Sequence, residues 1–189
     1  MTYLQDALGM IVEVLLGLFL VLVILRFLFQ LLRVDFRNPI ANAIVKITNP
    51  PLRILRRFIP GLYGIDLASI VLILLIAFLK TFLLLAISGI QVNPTGLLVY
   101  ALAESLNVIC WALLIAIFAS AILSWIAPRS HHPAARIING ISDPALQPFR
   151  RLMPNLGGLD LSPIFALLAI NLVQRLVVNP LFDWSRTLI

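Results

Sequence analysis

The sequence predicts an all-α membrane protein whose four transmembrane helices form two tandem two-helix repeats. The composition indicates a membrane protein: 61% of the residues are hydrophobic and 12% are charged, and the mean hydropathy of +1.06 is far above that of a soluble domain. The stretch NPPLRILRRFIPGLYGID, residues 49–66, returns ninety-four residues later as DPALQPFRRLMPNLGGLD, residues 143–160. A match of this length at one fixed offset indicates a tandem duplication.

Four apolar segments are long enough to cross a bilayer, which requires about 20 residues of helix. They are residues 8–32, 67–90, 97–127 and 161–178. Helices are the expected form, because every backbone group in lipid needs a hydrogen-bond partner within its own segment. The first repeat therefore takes residues 1–94 and the second takes residues 95–189, with two spans in each.

The first span is expected to remain in the folded protein. Residues 1–7 contain Asp6 and no Lys or Arg, and the apolar run that follows has no small-residue cleavage site. A secretory signal peptide begins with a basic region and has a shorter apolar core.

Basic residues concentrate in the loops that follow the first and third spans. Ten of the fourteen Lys and Arg residues lie there, whereas the connector GIQVNPTG between the second and third spans is uncharged. By the positive-inside rule, these two loops face the cytoplasm and both termini face the periplasm. The net charge of +6 is thus explained by topology and lipid contact. Nucleic-acid binding is not expected, because the loops place few aromatic residues among their Lys and Arg residues.

Each long loop contains a basic segment with an amphipathic pattern. At about 100° per residue, arginines fall on one side of a helix and large apolar residues on the other. The arginines are Arg53, Arg56 and Arg57 in the first copy and Arg150 and Arg151 in the second. The segments open at Asn49 and Pro50 or at Asp143 and Pro144, and end at Pro60 or Pro154. We predict a pair of short helices in each loop, bent where the proline follows and lying among anionic headgroups.

A turn follows each basic segment and leads into the next span. Gly64 and Gly158 are expected to adopt a positive φ there, and Asp66 and Asp160 to sit at the N-terminus of the following helix. The simpler interpretation is a surface-to-span elbow in which the neighbouring arginines supply counter-charges. A second and compatible interpretation is a site for a lipid headgroup or a partner protein.

Five ionisable residues fall inside the predicted spans, where charge is costly and usually marks function or a buried pair. They are Glu13, Arg26, Lys80, Glu104 and Arg175. Arg26 is expected to snorkel, because it lies about 9 Å from the end of its span. For the others two hypotheses stay open: salt bridges from Glu13 to Lys80 and from Glu104 to Arg175, or a proton- or ion-coupled pathway. The second copy replaces Glu13 and Lys80 with uncharged polar residues, which disfavours a symmetric transport site.

No catalytic motif is recognisable in the sequence. Cys110 is the single cysteine and lies within the third span, and the adjacent His131 and His132 have no further histidine to complete a metal site. Glycine-rich phosphate loops and serine nucleophile motifs are absent from the sequence. We therefore expect neither enzymatic activity nor a metal or other cofactor.

The doubled motif resembles that of the YggT family of small bacterial integral membrane proteins, which is related to the YlmG proteins. The matching positions are Asn49, Pro50, Arg56, Arg57, Pro60, Gly64 and Asp66, with Asp143, Pro144, Arg150, Arg151, Pro154, Gly158 and Asp160. The resemblance covers essentially the whole chain. It implies a bacterial inner-membrane protein without known catalytic residues. Members are associated with osmotic-stress tolerance and potassium supply, and YlmG relatives with cell division and with assembly of photosynthetic membrane complexes.

Two functional hypotheses follow. The first is a structural or assembly protein whose duplicated basic helices bind anionic lipid and a membrane-protein partner or a second copy. The second is a small transporter or channel component for an ion, such as potassium or a coupled proton, or for an osmolyte. The periplasmic-side position of both acids counts against the second hypothesis, as does the absence of helix-breaking Gly or Pro within the spans, which binding sites at the midplane often use.

Overall fold

The computed structural model describes residues 3–61, 64–90, 93–127, 132–152 and 160–188. Regular secondary structure in these ranges is helical throughout, as predicted. In chain order the elements are α1 Tyr3–Leu31, α2 Pro39–Phe58, α3 Leu67–Ile87, α4 Pro94–Ile126, α5 Pro133–Leu152, α6 Ser162–Val173, a π-helical turn Gln174–Val178 and α7 Asn179–Leu188.

Four helical segments are long and apolar enough to cross a membrane. They are α1, α3, α4 and the continuous stretch Ser162–Leu188, which contains α6, the π-helical turn and α7 and which we call the fourth span. Their number and order agree with the prediction, so the chain is a multi-pass membrane protein. The fourth span ends at Leu188, ten residues beyond its predicted end at residue 178.

The π-helical turn lies just before Pro180 in the fourth span. Proline lacks an N–H group, and its ring clashes with the carbonyl four residues earlier, which here belongs to Leu176. A wider turn, in which the Asn179 N–H donates to the Gln174 carbonyl, lets the helix continue past the proline. Because the fourth span extends to Leu188 it contains Pro180, so the prediction that the spans contain no helix-breaking Gly or Pro is wrong there, although the helix itself continues.

Each long loop forms one continuous 20-residue helix, α2 or α5, and not the pair of short helices that we predicted. Prolines lie inside both helices, and Pro50, Pro144 and Pro148 are exposed. The carbonyls that Pro50 and Pro148 leave unpaired belong to Lys46 and Pro144, which are exposed, so that water or headgroups can reach them. The helices therefore continue through their prolines. We call α2 and α5 the loop helices.

The loop helices dock on the spans through leucines at equivalent positions. Leu52 of α2 packs in the cluster formed by α1 and α3, and Leu146 of α5 packs against Ile117 and Ala166. Neither leucine is more than 1% exposed. Each loop helix thus has one side buried against the bundle.

The two halves also meet at the start of the loop helices. The Asn38 side-chain oxygen accepts a hydrogen bond from the Ile40 N–H and caps α2, and its amide donates to the Pro133 carbonyl at 2.7 Å. Nearby, Phe29, Ala41 and Ile137 belong to one apolar cluster with residues of α1, α2, α4 and α5. The loop helices are therefore held together as well as against the spans.

Candidate functional site

An arginine–aspartate pair ties each loop helix to the start of the following span. The Arg56 Nη2 atom lies 2.5 Å from Asp66 Oδ2, and the Arg150 Nε atom lies 3.0 Å from Asp160 Oδ2. These are the counter-charges that the elbow interpretation requires. Gly64 has a φ of +82°, a conformation that favours glycine. Pro154 and Gly158, the corresponding residues of the second copy, lie outside the described residues.

Further hydrogen bonds fix both carboxylates. Asp66 accepts from the Ser69 hydroxyl at 2.6 Å, and Asp160 accepts from the Ser162 N–H at 2.9 Å, as a helix-capping residue does. Burial alone raises the pKa of Asp66, but the bonds from Arg56 and Ser69 outweigh it and hold the pKa below its usual range. The pKa of Asp160 is likewise lowered, because the bonds from Ser162 and Arg150 outweigh burial. Both aspartates are ionised near neutral pH.

These lowered pKa values predict that the protein loses stability in acid. As the pH falls, the aspartates of the unfolded state bind protons at about pH 3.9, before those of the folded state do. The stability that Asp66 and Asp160 contribute is therefore fully present above that pH and is lost as the pH falls through their lowered pKa values. Thermal unfolding in detergent between about pH 6 and pH 3 should show a falling melting temperature. The D66N/D160N variant should show a weaker pH dependence. An equal dependence in the variant would assign the acid sensitivity to other groups.

A cavity of about 610 Å³ lies between α1, α2 and the elbow of the first copy, and we call it the first cavity. Its polar lining consists of Arg26, Gln30, Arg56 and Asp66. A second cavity, of about 650 Å³, lies at the corresponding place in the second copy. Four of its lining residues stand ninety-four positions further along the chain: Ser120, Ser124, Arg150 and Asp160. The two cavities are thus equivalent in position but differ in charge.

The prediction that Arg26 snorkels to the membrane surface is wrong, because its side chain is turned into the protein and forms hydrogen bonds there. The residue is only 5% exposed, and its guanidinium donates to the Val45 carbonyl at 3.0 Å, to Thr48 Oγ1 at 3.0 Å and to Asn49 Oδ1 at 3.4 Å. These acceptors form the turn of α2 just before its two prolines. Arg26 therefore holds that turn against α1.

The second copy uses different groups at the same positions. Ser120 replaces Arg26 and donates to Asn139, the equivalent of Val45, at 3.1 Å. Asp143, the equivalent of Asn49, receives a hydrogen bond from Arg150 at 3.0 Å.

The five arginines predicted to bind lipid or a partner fall into two groups. Arg56 and Arg150 are engaged in the ion pairs of the elbows. Arg53, Arg57 and Arg151 are exposed, and no bond from their side chains lies within the described part of the chain.

The exposed side of α2 combines basic and large apolar residues. Lys46, Arg53 and Arg57 fall within about 40° of each other at 100° per residue, and we call them the basic face. Beside them lie Ile40, Ile47, Ile54 and Phe58, which are 40%, 53%, 66% and 76% exposed. The described side chains of α5 include no exposed large apolar residue. The two loop helices therefore present different surfaces.

Within the membrane spans, Lys80 of α3 pairs with Glu104 of α4. Their side chains are 12% and 11% exposed, and Thr81 Oγ1 lies 3.5 Å from the second carboxylate oxygen of Glu104. The predicted pairing of Glu104 with Arg175 and of Lys80 with Glu13 is therefore wrong. It fails because α4 turns Glu104 towards α3, so that the ion pair joins the two halves of the chain.

Glu13 and Arg175 are both exposed on the spans, and neither forms an ion pair with a described residue. Arg175 continues a column of exposed polar residues on one face of the fourth span, with Asn171 one turn before it and Asn179 one turn after it. Gln174, beside this column, instead points inward and donates to Asn107 of α4 at 3.2 Å. The fourth span thus carries polar groups on an outer face and an inner face.

Comparison with known proteins places the chain in a family. The family model described as CCB3/YggT matches the chain twice, over residues 5–87 and over residues 99–181. The second match begins and ends ninety-four residues after the first, which is the offset of the sequence repeat.

Several relatives match over most of their length. The uncharacterised protein PA0392 of Pseudomonas aeruginosa is 46% identical over 173 residues, which cover 90% of this chain and 88% of the relative. The uncharacterised protein YggT of Escherichia coli is 31% identical over 179 residues, covering 94% and 92%. An uncharacterised protein of Haemophilus influenzae is 37% identical over 151 residues, covering 78% and 80%. No solved structure matches the chain. From the two family-model matches and these relatives, the chain belongs to the CCB3/YggT family.

Proposed function

We propose that this protein is a structural or assembly component of the bacterial inner membrane that binds anionic lipid and a membrane-protein partner. The observation that carries the proposal is the exposed side of α2, where the basic face lies next to a row of large apolar residues. A helix with this pattern favours the membrane surface, with its apolar residues among acyl chains and its bases among lipid phosphates.

The distribution of charge over the chain supports this placement. The loops that form α2 and α5 hold most of the basic residues, which favours a cytoplasmic location for them and a periplasmic location for both termini. Anionic lipid is then on the same side as the basic face.

The polar column on the fourth span supports binding of a partner. Polar side chains inside a membrane are costly unless they pair, and helix–helix contacts in membranes commonly use such groups. Asn171, Arg175 and Asn179 face away from the rest of the described protein. We infer that this column meets a second transmembrane helix, either of another protein or of a second copy.

We further infer that two tandem repeats build the protein. The family model matches each half at the same offset, and the two cavities and the two docking leucines fall at equivalent positions. Among the described side chains of the two loop helices, the apolar row beside the basic residues lies on α2, so lipid contact is assigned chiefly to α2.

Lipid binding by the basic face can be measured on the full-length protein by native mass spectrometry, titrating phosphatidylglycerol against phosphatidylcholine. We expect the K46Q/R53Q/R57Q variant to lose about 3 kcal/mol of preference for phosphatidylglycerol, roughly a hundredfold, because each surface base contributes about 1 kcal/mol. A matched control, R33Q/R37Q/R136Q, removes three exposed charges that lie outside the basic face. Equal losses in the two variants, or no loss in the first, would contradict the proposal.

The alternative function is transport of an ion or osmolyte. The π-helical turn in the fourth span favours it, since such turns frequently occur at functional sites. The buried Lys80 and Glu104 pair counts against it, because these two charges satisfy each other.

A further inference from the structure

The first cavity contains more positive charge than its own carboxylate can balance. Arg26 and Arg56 line it together with a single acid, Asp66. Asp66 is bound to Arg56, and Arg26 forms no ion pair with a carboxylate in the part of the chain that the structure describes. The three groups that Arg26 contacts are neutral oxygens.

A buried cation with neutral partners is costly, because it has lost the hydration that balanced its charge in water. Hydrogen bonds to neutral oxygens replace only part of that hydration. A bound anion would restore the balance, and the cavity beside Arg26 provides the space for one.

The second cavity shows that the fold does not itself require this charge. Ser120 occupies the position of Arg26, and Asp143 occupies that of Asn49. The second cavity is lined by one arginine, Arg150, and one aspartate, Asp160, so its formal charge is zero where that of the first cavity is +1. The excess of positive charge is therefore a property of the first cavity alone.

We propose that the first cavity binds a phosphate group. The flat guanidinium of Arg26 suits two phosphate oxygens, and Gln30 supplies amide donors one helical turn nearer the end of α1. Arg56, which is paired with Asp66, lines the same cavity. Arg26 lies about 7.5 Å from the end of α1, just below the level of the headgroups. Both a lipid phosphate from the bilayer and free inorganic phosphate from the aqueous side are candidate ligands, because the cavity lining includes the exposed Gly61 and Gly64.

This site is separate from the basic face of α2. The proposal for either site can therefore be disproved without affecting the other. The basic face would hold many lipids loosely at the surface, whereas the first cavity would hold one phosphate group between α1 and α2.

Gln30 gives the sharper test, because Arg26 also anchors α2 and its loss could unfold the protein. The Q30E variant places a carboxylate in the first cavity without removing any contact of Arg26. The control is S124E, which also places a carboxylate at the equivalent position, here in the second cavity. Circular dichroism and melting temperature should confirm that both variants fold.

Binding of radiolabelled inorganic phosphate to the full-length protein is measured by equilibrium dialysis, and binding of phosphatidylglycerol by native mass spectrometry. We expect Q30E to weaken phosphate-group binding at least tenfold, and S124E and K46Q/R53Q/R57Q to leave it unchanged in dialysis. Binding of inorganic phosphate would support a free-anion ligand. Binding of lipid alone, weakened by Q30E and not by S124E, would support a headgroup ligand. If Q30E and S124E bind both probes as the wild type does, or if neither probe binds the wild type, the proposal is overturned.

Discussion

Replacing Lys80 with Met is expected to destabilise the protein by about 3–5 kcal/mol, because the change leaves the Glu104 carboxylate buried without its partner. Both side chains are nearly inaccessible, and the pair joins α3 to α4. The measurement is thermal or denaturant unfolding in detergent, followed by fluorescence of the three tryptophans.

The double variant K80M/E104L is the control, because it removes both charges together. Replacing a buried ion pair with apolar residues is often neutral or stabilising, so the double variant should recover most of the loss. If the K80M variant unfolds like the wild type, the Lys80 and Glu104 charges are not buried together.

The same double variant separates the two functional hypotheses. If the pair is structural, proteoliposomes of the folded double variant should show the same ion and osmolyte flux as the wild type. Specific flux that disappears in the double variant would instead support the transport alternative.

Truncating Leu52 to Ala is expected to cost about 2–5 kcal/mol, because the side chain is fully buried in the cluster between α1 and α3. Leu146→Ala should cost a similar amount at the equivalent contact of the second copy. Hydrogen exchange should show which helix is affected, since loss of either leucine should release its own loop helix first.

The control for the leucine variants lies on the same helix. Ile54 of α2 is 66% exposed, so Ile54→Ala should change the unfolding free energy by about 0.5 kcal/mol or less. If Leu52→Ala were equally mild, α2 would not be held to the bundle by its leucine side.

Hydropathy was sufficient to predict the four spans, because a run of about 20 apolar residues has few other stable states. Their ends were harder to predict. The fourth span continues past Pro180 because a π-helical turn relieves the clash, and this local adjustment has no clear signal in composition. The loop helices continue through Pro50 and Pro144 for a related reason, since those prolines lie on exposed faces.

The contacts of the charged residues were predicted less well than the spans. The pairing of Lys80 with Glu104 depends on which face α4 turns to α3, and sequence position alone does not fix that rotation. One signal was available: the second and third spans are joined by a short connector, and both residues lie at similar distances from it. The inward turn of Arg26 also required the structure, because its partners come from a separate helix.

The pair of Lys80 and Glu104 makes the two halves of the chain chemically unlike at the place where they meet. Position 174, the counterpart of Lys80, is Gln, and position 10, the counterpart of Glu104, is Met. Two first halves brought together would bury two lysines and no matching acid. Two second halves would bury two glutamates. Each half therefore depends on the other to neutralise the charge that it buries at this contact.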